Sequence, residues 1–266
     1  MAIYSNRIVV SVSKIKAMLN ITNSQSTPTQ AGLQVMWQVP VSTLQTSLIG
    51  LYNLTGVNSN LSNLRFVYNG QFVPAWLESI NNGTATIWIK MPVSIPANSS
   101  ITLNLYANSN LNFDGVYWGE APQLSPTYAQ YDNGASMFNF YDNFAGTSLN
   151  TNKWINNVAN IGGTLIINNG LSYIRGSGGN TGLFLNSVSN FFAGVFETYG
   201  NIPAGGTSGA YTYATFGLMN SSALISVGDM MSVYGLATAN SQGGNGVGGL
   251  SGGIYVWQVW VPSSSP

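Results

Sequence analysis

The sequence predicts an all-β protein built from two β-sandwich modules in tandem. Apolar and polar residues alternate with a period of two in many segments, and segments with the period of an amphipathic helix are nearly absent. Asn-Gly, Asp-Asn-Gly, Gly-Gly and Pro-rich breaks separate these segments at the spacing of a sandwich. With 266 residues, 45% of them hydrophobic, the chain can fill one large all-β core or two of ordinary size.

The N-terminal segment predicts a strand that changes register. Residues 8, 10 and 12 are apolar and share one face, whereas the apolar residues from Ile15 to Ile21 have the opposite register. The shift at Ser13-Lys14 indicates a bulge or a change of sheet. Such a terminal strand can pair within its own sheet or with the open edge of a neighbouring subunit, and its own sheet is the favoured choice.

Two later segments predict half-buried strands. ITLNLYA, residues 101–107, places leucines and Ile101 on one face, and TIWIK, residues 86–90, places Ile87 and Ile89 opposite Trp88 and Lys90. Further strand candidates are LQVMWQV, LRFVY, FVPAWL, TLIIN, AYTYATFGL and GIYVWQVWV.

The boundary between the two modules is predicted near residue 130. Two prolines and an Asp-Asn-Gly turn interrupt the strand pattern between residues 121 and 137. The modules are therefore expected at 1–130 and 131–266. VPSSSP at the end reads like the start of a linker, which leaves open that the second module is incomplete at its C-terminus.

Composition excludes several classes of function. The chain has no His and no Cys, which removes Ser-His and Cys-His nucleophiles and zinc-thiolate sites, so we expect neither a cofactor nor a metal. Seven scattered basic residues cannot track a phosphate backbone, so nucleic acid is not an expected partner. The uncharged tract from Met230 to Pro266 is broken by Gly, Asn, Gln and Ser, so no membrane span is expected.

The low charge predicts insensitivity to acid. Charged residues make up 5% of the chain, against about 25% in an average soluble domain. Acid unfolding proceeds by protonation of paired carboxylates, and this chain has few. An acid-exposed extracellular surface in a hot environment fits this composition. The N-terminus lacks the apolar run of a signal peptide, which suits either a mature chain whose leader was removed or a virion protein assembled inside its host. The second alternative explains the initiator Met without a further assumption.

Residues 64–107 resemble a module of uncharacterised function that is widespread in archaeal and bacterial surface and secreted proteins. The matching motifs are Arg65-Phe66, Trp76-Leu77-Glu78, Ile87-Trp88-Ile89-Lys90 with Pro92, and Leu105-Tyr106. In that family the module often precedes a concanavalin-like jelly roll. YDNFAGTSLNTNKW, residues 141–154, is similar to the opening of such a jelly roll, with Asn143 in place of the usual second Asp.

The second half also resembles laminarinase-like jelly rolls, but without their catalytic acids. GVFETYGNIPAGG, residues 194–206, is similar to a strand that precedes the catalytic strand of those enzymes. The resemblance implies Glu-x-Asp-x-x-Glu in the catalytic strand, whereas this chain has Asp229 there and no Glu after Glu197. Glycoside hydrolysis requires two carboxyl groups, so we expect no enzyme activity.

One structural ion pair and one set of carbohydrate-binding residues are predicted from individual side chains. Arg65 and Glu78 could form a structural ion pair across a strand pair. Aromatic residues suit the apolar faces of sugar rings, although packing is the more common role of such side chains. The carbohydrate-binding candidates are Trp76, Trp88, Tyr211, Tyr213, Trp257 and Trp260.

The sequence therefore favours a non-enzymatic structural or adhesive protein on the surface of an archaeal virion or extracellular filament. A carbohydrate-binding lectin and, less favoured, a degenerate glycoside hydrolase are the alternatives. The expected partners are other copies of this chain, other structural subunits or cell-surface glycans.

Overall fold

A computed structural model of the chain describes residues 8–13, 18–47, 56–156, 163–175, 185–189, 194–202, 211–219, 230–239 and 253–261. Nearly all of the regular structure in these ranges is β-strand, which confirms the predicted all-β class. The helices in the described part of the chain are α1 (Val41–Ser47) and α2 (Gly134–Met137).

The chain divides into two compact units. The first, called the sandwich unit here, comprises Tyr4–Ser148 and Ile167–Leu171. The second, the C-terminal unit, comprises Met1–Ile3, Leu149–Ile166 and Ser172–Pro266. The division after Ser148 lies well beyond the predicted seam near residue 130, because residues 131–144 pack onto strands of the sandwich unit.

The strands of the sandwich unit form two sheets. In chain order they are β1 (Ile8–Ser13), β2 (Met18–Asn23), β3 (Gln34–Pro40), β4 (Leu64–Tyr68), β5 (Gln71–Val73), β6 (Ala75–Asn81), β7 (Thr84–Lys90), β8 (Ser99–Ala107) and β9 (Trp118–Glu120). One sheet has the order β1-β2-β8-β4-β5, and the other has the order β3-β7-β6-β9. All neighbours are antiparallel except β6 and β9, which are parallel.

The main core lies between these two sheets. It combines Leu19, Phe66 and Leu103 of the five-stranded sheet with Val35 and Ile87 of the four-stranded sheet, among other buried apolar residues. In β8 the burial follows the predicted alternation, with Leu103 and Leu105 buried and Asn104 exposed. The arrangement is a β-sandwich, because each sheet buries one face against the other.

The Asn-Gly breaks form hairpin turns. Asn69 and Gly70 connect β4 to β5, and Asn82 and Gly83 connect β6 to β7; all four residues have positive φ values between 48° and 78°. Positive φ at both central residues is the requirement of the two-residue hairpin turn, and Asn followed by Gly meets it at little steric cost.

The N-terminal strand pairs within its own chain. β1 is antiparallel to β2, with Val10 opposite Ile21 and Val12 opposite Leu19. This is the favoured choice of the sequence analysis. The bulge or change of sheet predicted at Ser13-Lys14 involves Lys14, which lies outside the described ranges.

In the C-terminal unit the described strands form pairs. They are β10 (Trp154–Asn156) with β13 (Leu185–Ser187), β11 (Gly163–Ile167) with β12 (Leu171–Arg175), β14 (Gly194–Ile202) with β17 (Gly253–Val261), and β15 (Tyr211–Met219) with β16 (Met230–Ala239). β11 and β12 carry residues of both compact units. A concanavalin-like jelly roll in this half stays a prediction.

Candidate functional site

The outer face of the four-stranded sheet carries two of the predicted sugar-binding residues. Trp76 of β6 and Trp88 of β7 are directly opposite each other in the strand register. With Ala121, Met137, Phe138 and Tyr141 they form a second hydrophobic cluster, called the outer aromatic cluster here. Phe138 contacts both indoles edge-on, with ring centroids 5.4 Å and 5.5 Å away.

This cluster corrects the assignment of Trp76 and Trp88 to carbohydrate binding. Their side chains are 8% and 9% exposed, so neither ring is presented to solvent as a stacking platform. The prediction that β7 is half-buried is also corrected. β7 is buried on both faces, because the segment from α2 to Tyr141 covers its outer side.

Asp132 fixes the covering segment to the sheet. Its Oδ1 accepts hydrogen bonds from Trp76 Nε1 and the backbone N–H of Gly134, both 2.9 Å long. Its Oδ2 accepts bonds of 2.7 Å from the Tyr141 hydroxyl and Asn143 Nδ2. Burial, together with the charge of Asp132, raises the pKa of Tyr141, which therefore stays a neutral donor. Asp132 is the first residue of the Asp-Asn-Gly sequence at the predicted boundary, where only a turn was expected.

Arg65 and Glu78 do not form the predicted cross-strand pair, because β4 and β6 belong to different sheets. Arg65, 3% exposed, forms a 2.9 Å salt bridge with Asp114. It also donates to the backbone oxygens of Leu64 and Asn112. Glu78 accepts a 2.6 Å hydrogen bond from Trp88 Nε1. Arg65 thus has the predicted structural role with a different partner.

Asp114 closes the turn that leads into β9. Its Oδ1 accepts hydrogen bonds from the backbone N–H groups of Val116, Tyr117 and Trp118, at 2.8–3.0 Å. Burial acts to raise the pKa of Asp114, but these donors together with Arg65 outweigh it and hold the pKa below its usual value. The carboxylate is therefore a structural group of the turn.

Glu120 is a buried acid that the sequence analysis missed. It is 5% exposed, and burial raises its pKa, an effect that a hydrogen bond with Ser125 partly offsets. The alternation of a strand places Glu120 on the same face as Trp118, but only the structure shows that Trp118 lies in the core. Its surroundings form a cavity, described below.

The remaining predicted residues lie in the C-terminal unit. Tyr211 and Tyr213 belong to β15, whereas Trp257 and Trp260 belong to β17, and these strands pair with different partners. Glu197 lies in β14 opposite Gln258. Asp229 lies outside the described ranges. The carbohydrate-binding prediction now depends on these four aromatic residues.

The described residues contain neither a cluster of metal ligands nor a candidate membrane helix. No group of three or more acidic side chains converges in a way that could hold a metal ion there. Neither α1 nor α2 has the length and apolar character of a membrane-crossing helix, and the same ranges contain no other candidate span.

Comparisons with known proteins give one family and one relative. Residues 60–114 match the family described as "Domain of unknown function (DUF2341)", which covers β4 to β8 and Asp114. This match includes the motifs that carried the first resemblance. No solved structure matches the chain.

The relative is "Uncharacterized protein 562" of Sulfolobus islandicus rod-shaped virus 1. It is 35% identical over 176 residues, which is 62% of this chain. The aligned region spans 28% of the length of that protein. The chain is thus similar to part of a longer archaeal virus protein.

Proposed function

We propose that this protein is a non-enzymatic structural or adhesive subunit on the surface of an archaeal virion or an extracellular filament. The observation that carries the proposal is the 35% identity over 176 residues to a protein of an archaeal virus. The low content of charged residues supports exposure to an acidic medium, since few paired carboxylates are lost by protonation. Other copies of this chain or other structural subunits are its proposed partners.

The roles of the acids in the sandwich unit support a scaffold without catalysis. Asp114 accepts four hydrogen bonds from Arg65 and the adjoining turn, and Asp132 accepts one from Trp76 of β6 and three from Gly134, Tyr141 and Asn143. A carboxylate whose lone pairs are occupied by its own fold is poorly placed to move protons for a substrate. The chain also has no His or Cys that could take that role.

Immunogold electron microscopy of purified particles, with an antibody against this chain, tests the surface role. We expect gold label along the exterior of virions or filaments, and we expect this label to remain when the particles are first washed in high salt. Protein found solely in the soluble fraction of the host, with unlabelled particles, would contradict the proposal.

A hydrolysis assay tests the absence of enzymatic activity. We expect the purified chain to release no reducing sugar from laminarin at acidic or neutral pH, because two cooperating carboxyl groups are required. Hydrolysis that disappears in Glu197→Gln and persists in the control Glu78→Gln would identify an enzyme instead.

A further inference from the structure

Glu120 lies at an inner position at the end of a strand. In the parallel pairing of β6 and β9, Trp118 is opposite Ala75 and Glu120 is opposite Leu77. Ala75, Leu77 and Trp118 all belong to the core between the sheets. Glu120 therefore continues a row of apolar core residues with a carboxyl group, at the point where the core opens into a cavity.

The cavity has a volume of about 280 Å³ and is mostly apolar. Its walls are formed by Leu77, Ile80, Phe113, Leu124, Pro126 and Tyr131. Phe113 is stacked between Trp118 and Tyr131, with centroid distances of 5.6 Å and 6.4 Å, which holds this wall in place. Leu77 and Phe113 are buried, whereas Leu124 is 39% exposed and lies at the mouth.

The polar groups of the cavity are few. They are the Glu120 carboxyl group and the exposed side chains of Asn60 and Asn112. Glu120 is hydrogen-bonded to Ser125, which is 9% exposed. In the described part of the chain no cation forms an ion pair with Glu120. A buried carboxylate without a cation is costly, and a ligand that supplies the cation recovers part of that cost.

We propose that this cavity binds a primary ammonium group on an unbranched alkyl stem, the chemistry of a lysine side chain. The ammonium donates hydrogen bonds to the Glu120 carboxylate. The methylene groups of the stem pack against Leu77, Phe113 and Leu124, where they leave water.

The lining favours an alkylammonium ligand over a sugar. A sugar carries hydroxyl groups around its whole ring, and those that face apolar walls would lose their hydrogen bonds to water without replacement. An alkylammonium ion has one polar end and one apolar stem, which matches a cavity with a single buried acid and six apolar lining residues.

The inference is independent of the proposed surface role, and small probes test it on the full chain. Binding of Nα-acetyl-L-lysine methylamide, its norleucine counterpart, putrescine and methyl glucoside is measured at neutral pH by ligand-observed NMR. The variants are Glu120→Gln, which keeps the shape of the side chain, and Leu124→Trp, which blocks the mouth. Asp142→Asn removes a carboxylate outside the cavity and is the matched control.

We expect the lysine amide to bind about tenfold more tightly than the norleucine amide. In Glu120→Gln and in Leu124→Trp we expect the affinity for the lysine amide to fall by about the same factor. Asp142→Asn binds like the wild type. Preference for the lysine amide assigns the ligand to a polypeptide, and preference for putrescine assigns it to a free polyamine. Equal binding of the lysine and norleucine amides, binding unchanged in Glu120→Gln, or selective binding of methyl glucoside would overturn the proposal.

Discussion

Asp114 and Glu120 lie on either side of Trp118 in a short stretch of chain, yet their pKa values are shifted in opposite directions. Asp114 receives three backbone N–H groups and the Arg65 guanidinium, and its pKa lies below the usual value although burial acts in the other direction. Glu120 has Ser125 as its polar partner, and burial raises its pKa. The number and charge of the donors, rather than burial, decide whether an acid stabilises this fold.

The difference separates a structural acid from one that is open to a ligand. Removing Asp114 leaves Arg65, 3% exposed, without its anion and frees three backbone donors of the turn. Removing the charge of Glu120 takes away a carboxylate that has no ion pair within the described residues. Substitutions at the two positions should therefore change the free energy of unfolding in opposite directions.

The largest effect is expected for Asp114→Ala. It should lower the free energy of unfolding by about 3 kcal/mol, because it leaves a buried cation and several backbone donors unpaired. Urea unfolding followed by tryptophan fluorescence measures it. Asp114→Asn, which keeps an acceptor oxygen for the turn, should lose less. An Asp114→Ala chain as stable as wild type would show that the turn does not depend on this carboxylate.

A smaller loss, about 2 kcal/mol, is expected for Gly119→Ala. A Cβ atom at this position would overlap the Asn133 side chain and the backbone oxygen of Tyr131, so the segment over β9 must shift. Gly56→Ala is the matched control, since a Cβ there meets no atom within 4 Å. Thermal unfolding of both variants measures the difference. Equal transition temperatures would mean that Tyr131 and Asn133 can move away from Gly119 at little cost in free energy.

The smallest effect has the opposite sign. Glu120→Gln should raise the free energy of unfolding at neutral pH by about 1 kcal/mol, because it removes the cost of a buried carboxylate. A raised folded-state pKa means that stability is lost as pH rises from the ordinary glutamate pKa through the folded value. The gain from the substitution should therefore be absent in acid and appear over that window.

The pH dependence of Asp114→Asn provides the contrast. The folded-state pKa of Asp114 is lowered, so its contribution is present above the ordinary aspartate pKa and is lost as pH falls through the folded value. Stability curves of both variants from acid to neutral pH check the signs. Curves that run parallel would contradict the assignment of opposite roles.

The sequence alone determined the features that depend on neighbouring residues, namely strand alternation and hairpin turns. The period-two alternation of β8 predicts which of its residues are buried, and Asn-Gly at 69–70 and 82–83 predicts the hairpin turns. Strand pleat and turn geometry depend on neighbouring residues, so the sequence contains this information directly. The motifs of residues 64–107 likewise sufficed to indicate the family that matches residues 60–114.

The tertiary structure decided which faces are covered and which charges meet. Trp88 was predicted on the open face of a half-buried strand, but the segment from α2 to Tyr141 covers it, and Asp132 bonds Trp76 across 56 positions of the chain. Arg65 forms its salt bridge with Asp114, 49 positions away in the chain, whereas Glu78, which is closer in sequence, was the predicted partner. Such contacts depend on how distant segments pack, and the period of a single strand carries no information about them.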